Sequence, residues 1–372
     1  MKKLGFGLMR LPLLNPDDQT SIDMEQFKKM ADMFIERGFT YFDTAYPYHG
    51  GKSEEALREA VVKRYPREAF TVTSKMPVWA INEAADLERI FNEQLERCGL
   101  EYFDYYWLHA LNRERVEVMD RMDGWGFLVC KKAEGKIRHI GFSFHDGSSL
   151  LAEILERHPE IEYVQLQINY LDWDSPAIEA RVCYELCERH GKPVIVMEPV
   201  KGGSLARVPE AVDRLFKGYN PGASPASWAI RYCASLPNVM MVLSGMSNME
   251  QIEDNTSYMQ DFQPLNDEEQ AILDQVNQVI HDAIAIHCTA CHYCTEGCPQ
   301  EIAIPEYFNL YNSIQQFPEL KSNSTLYYNL VAKSHGKASE CLECGQCEAQ
   351  CPQHIDIIEN LKLVAQSFES TN

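Results

Sequence analysis

Eight short apolar runs, rich in β-branched and aromatic residues, recur between residues 4 and 245, with amphipathic stretches between them. They are LGFGL (4–8), YFDTA (41–45), FTVTSKM (70–76), YFDYYWLHA (102–110), IRHIGFSF (137–144), YVQLQIN (163–169), PVIVMEP (193–199) and VMMVLSG (239–245). Intervening stretches such as SIDMEQFKKMADMFIERG and DLERIFNEQLERCG repeat their apolar positions at helical spacing and end in a Gly suited to a helix C-terminus. Strands separated by helices cannot pair through tight hairpins, so the pattern predicts parallel strands joined by crossover helices. Eight such units predict an α/β fold of the (β/α)8 TIM-barrel type. A doubly wound sheet is the competing architecture, but no glycine-rich dinucleotide fingerprint follows an early strand.

The pattern changes near residue 260. FQPLNDEEQAILDQVNQVIHDAI opens with Asn266 as an N-cap and Glu269 three residues on, a capping box. The expected organisation is a barrel over 1–265, a connecting helix over 266–287 and a small second domain over 288–372. That last part contains CTACHYCTEGCP at 288–299 and CLECGQCEAQCP at 341–352. Between them, IPEYFNLYNSIQQF and TLYYNLVAKS read as helices, and no internal repeat beyond the cysteine motif is expected.

A chain of 372 residues is long enough for one large core and a smaller companion. Its net charge of −21 excludes nucleic acid as a general partner, because phosphate binding needs a basic surface, and it disfavours anionic membranes. No run of about 18 apolar residues predicts a spanning helix. The opening MKKLGFGLMRLPLL imitates a signal peptide only faintly, since Arg10 and Pro12 break its apolar run and no cleavage site follows.

Eight of the thirteen cysteines fall into the two motifs; Cys98, Cys130, Cys183, Cys187 and Cys233 read as free thiols within regular structure. A reducing compartment, the cytoplasm, is the expectation. Cys288, Cys291, Cys294 and Cys298 form C-x2-C-x2-C-x3-C-P, as do Cys341, Cys344, Cys347 and Cys351. This spacing predicts two 4Fe–4S clusters, the fourth cysteine of each motif ligating the cluster of the other. Zinc is the alternative, because paired C-x2-C motifs also hold that ion.

Four polar residues fall at or just after successive strand ends: Asp43 and Tyr48 in FDTAYPYHGG, Lys75 in TSKM and His109 in WLHALN. Singly, each has an ordinary reading as a turn cap, a loop aromatic, a solvated cation or a core histidine. Together they fit one reaction, because chemistry in such barrels sits at the C-terminal strand ends. A phenol with a pKa near 10 is a poor proton donor and acceptor at neutral pH. A nearby ammonium is expected to lower that pKa, and a carboxylate to hold the ammonium. A histidine on the next strand is expected to orient a carbonyl oxygen.

At these residues the chain resembles the aldo/keto reductase superfamily, whose fold is a (β/α)8 barrel. The resemblance runs from about residue 3 to 255 through LGFGLMRLP, FDTAYPY, TSK, LHAL, GFSF, VQLQINY, MEPVKGGSLA and LSGMSNMEQIEDN. It implies NAD(P)H-dependent reduction of a small-molecule carbonyl, with Tyr48 as general acid, Asp43 and Lys75 tuning it and His109 orienting the substrate. It also implies that Ser143 and Gln165 hold the nicotinamide carboxamide, and that Gly7, Met9 and Arg10 lie near the ribose or pyrophosphate. The chain departs from the family pattern in three places. Phe144 stands where Asn is usual, and Met197 replaces an aromatic that commonly stacks on the nicotinamide. Gly245 and Gln251 stand where basic residues usually grip the 2′-phosphate, which favours NADH slightly over NADPH.

The tail resembles the α-helical ferredoxin domains of respiratory iron–sulfur subunits, and reductase-like chains with such a tail form a recognisable bacterial group. Hydride carries two electrons whereas each cluster passes one, so three readings stand. The clusters are a structural or docking module for a carbonyl reductase, or they feed a bound flavin or the substrate, with a redox partner protein supplying electrons. In the third, the barrel is only an electron-carrier or interaction scaffold. The intact set of Asp43, Tyr48, Lys75 and His109 argues against the third.

Overall fold

The computed structural model describes residues 2–175, 178–316 and 321–369. Eight parallel strands close into a barrel in sequence order. They are β1 (Leu4–Gly7), β2 (Tyr41–Asp43), β3 (Thr71–Met76), β4 (Phe103–Leu111), β5 (Ile137–Phe144), β6 (Tyr163–Gln167), β7 (Val194–Met197) and β8 (Val239–Ser244). Every expected strand is present: β5 coincides with its apolar run, β4 is displaced by one residue to end at Leu111, and the others are shorter by one to three residues.

Alternation along the strands sorts side chains to two faces. Tyr41, Tyr105, Trp107, Ile195, Met241 and Leu243 form one buried cluster inside the barrel. Two glycines make room for these large rings. A Cβ on Gly5 would lie 2.7 Å from Leu243, and one on Gly141 would lie 2.5 Å from the Trp107 ring. Stepping by two along each strand from this cluster leads to Asp43, Lys75, His109, Ser143, Gln165 and Met197. The other face packs on the surrounding helices. Phe6 and Phe42 meet Phe34 of α1 (Met24–Glu36), with ring centroids 5.6 and 5.3 Å apart. Tyr106 meets Phe91 of the helix Ala84–Cys98, which a capping box opens and Gly99 closes in a left-handed turn.

Two compact units divide the chain. One comprises residues 1–174, 179–199 and 226–265; the other comprises 175–178, 200–225 and 266–372. The second unit therefore takes in the segment that follows β7 as well as the tail. Its segment after β7 carries the helix Glu210–Tyr219, and its tail opens with the helix Asp267–Ala283, which carries the expected capping box between Asn266 and Glu269. Helices Ile304–Gln316, Lys321–Val331 and Ile357–Phe368 follow. Tyr307, Tyr328 and Phe368 stack at their centre, with centroids 4.4 and 5.0 Å apart. No helix among the described residues is long and apolar enough to cross a membrane.

Candidate active site and cysteine centre

Asp43 ends β2, Lys75 lies in β3, and His109 lies in β4 just before an irregularity. Lys75 Nζ donates to Asp43 Oδ1 at 2.5 Å and to the Thr44 carbonyl at 2.8 Å. It also lies 3.4 Å from the Tyr48 hydroxyl. Asp43, Lys75 and His109 are buried, while Tyr48 is partly exposed. The loop after β2 turns through positive φ at His49, Gly50 and Gly51, directly after Tyr48. The imidazole of His49 ties this loop down, accepting from the Leu11 N–H and bonding the Gln19 carbonyl.

Beyond His109, Ala110 adopts φ 56°, and the β4–β5 register shifts between Leu108 and Leu111. A non-glycine residue held there costs on the order of 1–3 kcal/mol, a strain typical of functional sites. Two hydrogen bonds fix the kink: Ala110 N–H to Ser143 Oγ at 2.7 Å, and Arg115 to the Ala110 carbonyl at 2.7 Å. The result places the His109 ring 5.9 Å from the Tyr48 ring and 5.0 Å from Trp79.

The electrostatics differ from expectation in one respect. Burial pushes the Tyr48 hydroxyl well above the ordinary phenol value, and the carboxylates of Asp43 and Glu198 push it further. The anticipated lowering by Lys75 is outweighed by burial and by these two carboxylates. The site thus holds a protonated phenol beside a cation. His109 is driven well below the usual imidazole value by burial and by Lys75, His145 and Arg115, so its ring is neutral at neutral pH. Burial raises Asp43 and lowers Lys75, each effect opposed by the partner's charge.

Three nearby residues escaped the sequence reading. Glu198 follows β7 with φ 56° and acts on Tyr48. Trp79, packed under Arg115, covers His109. Glu54, fully buried behind Lys75, accepts from Ser74 and Gln94, both at 2.7 Å, and burial lifts its carboxyl to about 7. Of these, only Trp79, a large aromatic just past a strand end, carried a usable sequence signal.

The expected cofactor residues fall into two groups. Ser143 and Gln165 are register partners on β5 and β6, and Gln165 Oε1 is buried without a hydrogen-bond partner. An orphaned acceptor of this kind fits the N–H of a nicotinamide carboxamide. Met197, one strand further, pairs in register with Gln167. At the β1–β8 seam, Gly7 lies against the Ser244 carbonyl and Gly245 against the Arg10 side chain. Met9 belongs to the short turn between Gly7 and Arg10. The Gln251 side chain accepts from Ser247 N–H at 2.7 Å, so its oxygen is engaged in the turn.

In the second unit, the two cysteine motifs share more than spacing. Left-handed backbone occurs at matching places after Cys288 and Cys341: Ala290 and Glu343, His292 and Gly345, Glu301 and His354. Buried Ile302 and partly buried Ile355 match, and both helices that follow begin at matching buried residues, Ile304 and Ile357. The expectation of no repeat beyond the cysteines is therefore corrected. The repeat is one of conformation, hidden because different residues take the same backbone positions.

Cys288, Cys291, Cys294 and Cys351 line one small cavity, closed by Ile304, Phe308 and Ile357. Cys351 thus joins the first motif across 63 residues of sequence, as the crossed spacing predicts. On the other side, a Cβ on Gly297 would lie 3.4 Å from Gln346, which brings the residue before Cys298 to the residue before Cys347. Among the described residues, no three His, Cys, Asp or Glu side chains converge on a point that one ion would occupy. A 4Fe–4S cube takes one thiolate per iron, and four thiols line this cavity. Burial lifts the Cys288 thiol to about 12 and the Cys347 thiol to about 11, so metal binding here must displace protons.

A family model described as the aldo/keto reductase family matches residues 3–278, and one described as a 4Fe-4S dicluster domain matches residues 287–355. The 9,11-endoperoxide prostaglandin H2 reductase of Trypanosoma cruzi is 26% identical over 284 residues, spanning 75% of this chain and 88% of its own. An aldo-keto reductase of Mycolicibacterium vanbaalenii is 28% identical over 246 residues, 66% of this chain and 81% of its own. Among solved structures, an aldo-keto reductase from Klebsiella pneumoniae in complex with NADPH superposes with a TM-score of 0.57 at 23% identity, covering 74% of this chain and 90% of its own. The holo form of an aldo-keto reductase from Bacillus halodurans gives 0.60 at 24% identity, covering 74% and 91%. Both likenesses are of the barrel fold.

Proposed function

Because the chain belongs to the aldo/keto reductase family and carries a 4Fe-4S dicluster domain, we propose that this oxidoreductase reduces a carbonyl, or oxidises an alcohol, with NADH or NADPH. The chain of contacts from Asp43 through Lys75 to Tyr48 is the observation that carries this reading. The nicotinamide, when bound, supplies the hydride. Tyr48, kept protonated by burial, gives its proton to the oxygen that becomes an alkoxide. Lys75 stabilises the phenolate left behind, and Asp43 holds Lys75 in place. His109, neutral in its buried place, orients the carbonyl oxygen without adding a charge. Trp79 forms an apolar wall that limits water.

Ser143 and Gln165 would hold the carboxamide, and Gly7, Met9, Arg10 and Gly245 would lie along the rest of the dinucleotide. NADH is proposed to bind at least as well as NADPH, since Gly245 and Gln251 supply no charge to a 2′-phosphate. The domain over 287–355 is proposed to hold two clusters, one on Cys288, Cys291, Cys294 and Cys351 and one on Cys341, Cys344, Cys347 and Cys298. A nicotinamide does not readily split its electron pair, so the clusters act as a docking or structural module unless a flavin mediates.

Purified anaerobic protein offered NADH and NADPH with a panel of carbonyls tests the proposal. Oxidation of either cofactor that depends on a carbonyl and on Tyr48 supports it. A released flavin in the absorbance spectrum, with no such turnover, favours the cluster-to-flavin reading instead.

A further inference from the structure

The two halves of the cysteine domain repeat one another in backbone, so what sets their clusters apart is the charge around each. Three consecutive left-handed residues, Lys201, Gly202 and Gly203, form a tight loop in the segment of the second unit that follows β7. A Cβ on Gly202 would stand only 1.9 Å from the Thr289 carbonyl, so that loop lies directly against the first cysteine turn. The loop carries Lys201 inward: the side chain is buried, and its Nζ lies 3.2 Å from Gln353 Oε1, two residues past Cys351. Lys201 lines one cavity with Cys288 and Thr289, and its partner Gln353 lines the cavity that Cys288 and Cys351 share. In the other half the residue after Cys347 is Glu348, a carboxylate at the place that Thr295 holds after Cys294 in the first half. Lys362 pairs there with Glu343, between Cys341 and Cys344, and with Glu359.

We propose that Lys201 is the charge-compensating residue of the cluster held by Cys288, Cys291, Cys294 and Cys351, and that it sets this cluster's reduction potential above that of its twin. The inference rests on the two-cluster reading given above. The physical reason is simple: reduction adds a negative charge to an already anionic cluster, and a buried cation beside two of its thiolates stabilises the reduced form more than the oxidised one. Greater burial of Cys294 and Cys351 pulls the opposite way, since low dielectric penalises the more highly charged state. The proposal requires the cation to outweigh that penalty, and its field acts within the same dry surroundings. Electrons arriving at the domain would then come to rest on the first cluster.

The test is a potentiometric titration of the full-length, anaerobically prepared protein, followed by paramagnetic resonance, for the wild type, Lys201→Met and Lys201→Arg. The wild type should show two midpoints. In Lys201→Met the higher should fall, with the ratio of reduced to oxidised cluster at a fixed potential dropping about tenfold, or about 59 mV for a one-electron couple. The lower midpoint should stay, and Lys201→Arg should restore the higher one. If Lys201→Met fails to keep iron while Lys201→Arg keeps it, the cation is needed even to hold the cluster, which also supports the proposal. Loss of iron from both variants would show that the shape of lysine, not its charge, matters, and would overturn it. So would two midpoints that ignore Lys201→Met, or movement of the lower one alone. A wild type lacking two clusters would instead sink the reading on which the inference stands.

Discussion

Lys75 Nζ lies 2.5 Å from Asp43 Oδ1, and neither side chain reaches solvent. Each charge is tolerated because the other is present, and Asp43 Oδ2 has no hydrogen-bond partner to share the load. Removing one member of a buried pair strands the other, which typically costs about 3–5 kcal/mol. Lys75→Met should therefore destabilise the barrel by about that much in urea unfolding. The double variant Asp43→Asn with Lys75→Met should recover most of the loss. A double variant no more stable than Lys75→Met would mean that the pair is not energetically coupled.

Tyr48 is the next link outward, 3.4 Å from Lys75. Tyr48→Phe removes the transferable proton and little else, so carbonyl reduction should fall by orders of magnitude while nicotinamide binding is nearly unchanged. Adding Lys75→Met should then cost little further activity, because the two act on one proton transfer. Fluorescence titration with each nicotinamide and steady-state turnover measure the two halves of this expectation. Retention of most activity in Tyr48→Phe would remove the phenol from its role.

Behind this pair, Glu54 contributes a pH dependence of definite sign. Burial raises its carboxyl to about 7 in the folded chain, against 4.5 as its ordinary value. Below the lower value both states are protonated. Between the two, the folded state keeps a proton that the unfolded state releases, so stability falls as pH rises and levels off above about 7. The full difference is on the order of 3 kcal/mol. Relative to Glu54→Gln, the wild type should lose stability progressively from about pH 4.5 to pH 7, as read by chemical unfolding across that range. A constant difference between the two proteins would mean that Glu54 stays ionised.

Asp43, Lys75 and His109 were legible in the chain as polar residues at successive strand ends, whereas Ser143 and Gln165 were expected only from the family resemblance. What was not legible has physical causes. Alanine gives no sign of positive φ, so the Ala110 kink that sets the His109 ring is invisible in LHALN. Glu198 meets Tyr48 only because the barrel closes, bringing β7 round to the loop after β2. The upward shift at Tyr48 depends first on burial and then on the charges of Asp43 and Glu198, a matter of ångströms rather than of residue types. The doubled backbone of the cysteine domain was hidden because Ala290 and His292 occupy turns that Glu343 and Gly345 occupy in the second copy.

Gly202 offers a steric test of how the loop after β7 supports the first cysteine turn. Alanine there meets both a left-handed φ of 64° and the Thr289 carbonyl, whereas a Cβ on Gly203 meets nothing within 4 Å. Strain from φ alone is roughly 1–2 kcal/mol, and overpacking adds about 1–3 kcal/mol. Gly202→Ala should therefore lose iron to a chelator distinctly faster than Gly203→Ala, which shares the strain but not the clash. Equal rates would show that the close approach to Thr289 does not support the cluster site.

The crossed arrangement of the cysteines makes the last prediction. Three thiolates on one tight turn reach three irons of a cube, while the fourth iron faces away and needs a ligand from elsewhere. Cys351 stands with Cys288, Cys291 and Cys294 around one cavity. The repeat in backbone then assigns Cys298 to Cys341, Cys344 and Cys347, in keeping with the approach of Gly297 to Gln346. Anaerobic protein should carry about eight irons, the content of two four-iron clusters. Cys351→Ser should alter the same paramagnetic signal as Cys288→Ser, and Cys298→Ser the same signal as Cys341→Ser. Because each cluster would then tie the two halves together, losing either should loosen both, and the helices between the motifs should lose protection from hydrogen exchange. A Cys298→Ser spectrum matching Cys288→Ser would mean that each motif serves its own cluster, and zinc in place of iron would remove electron transfer from the domain.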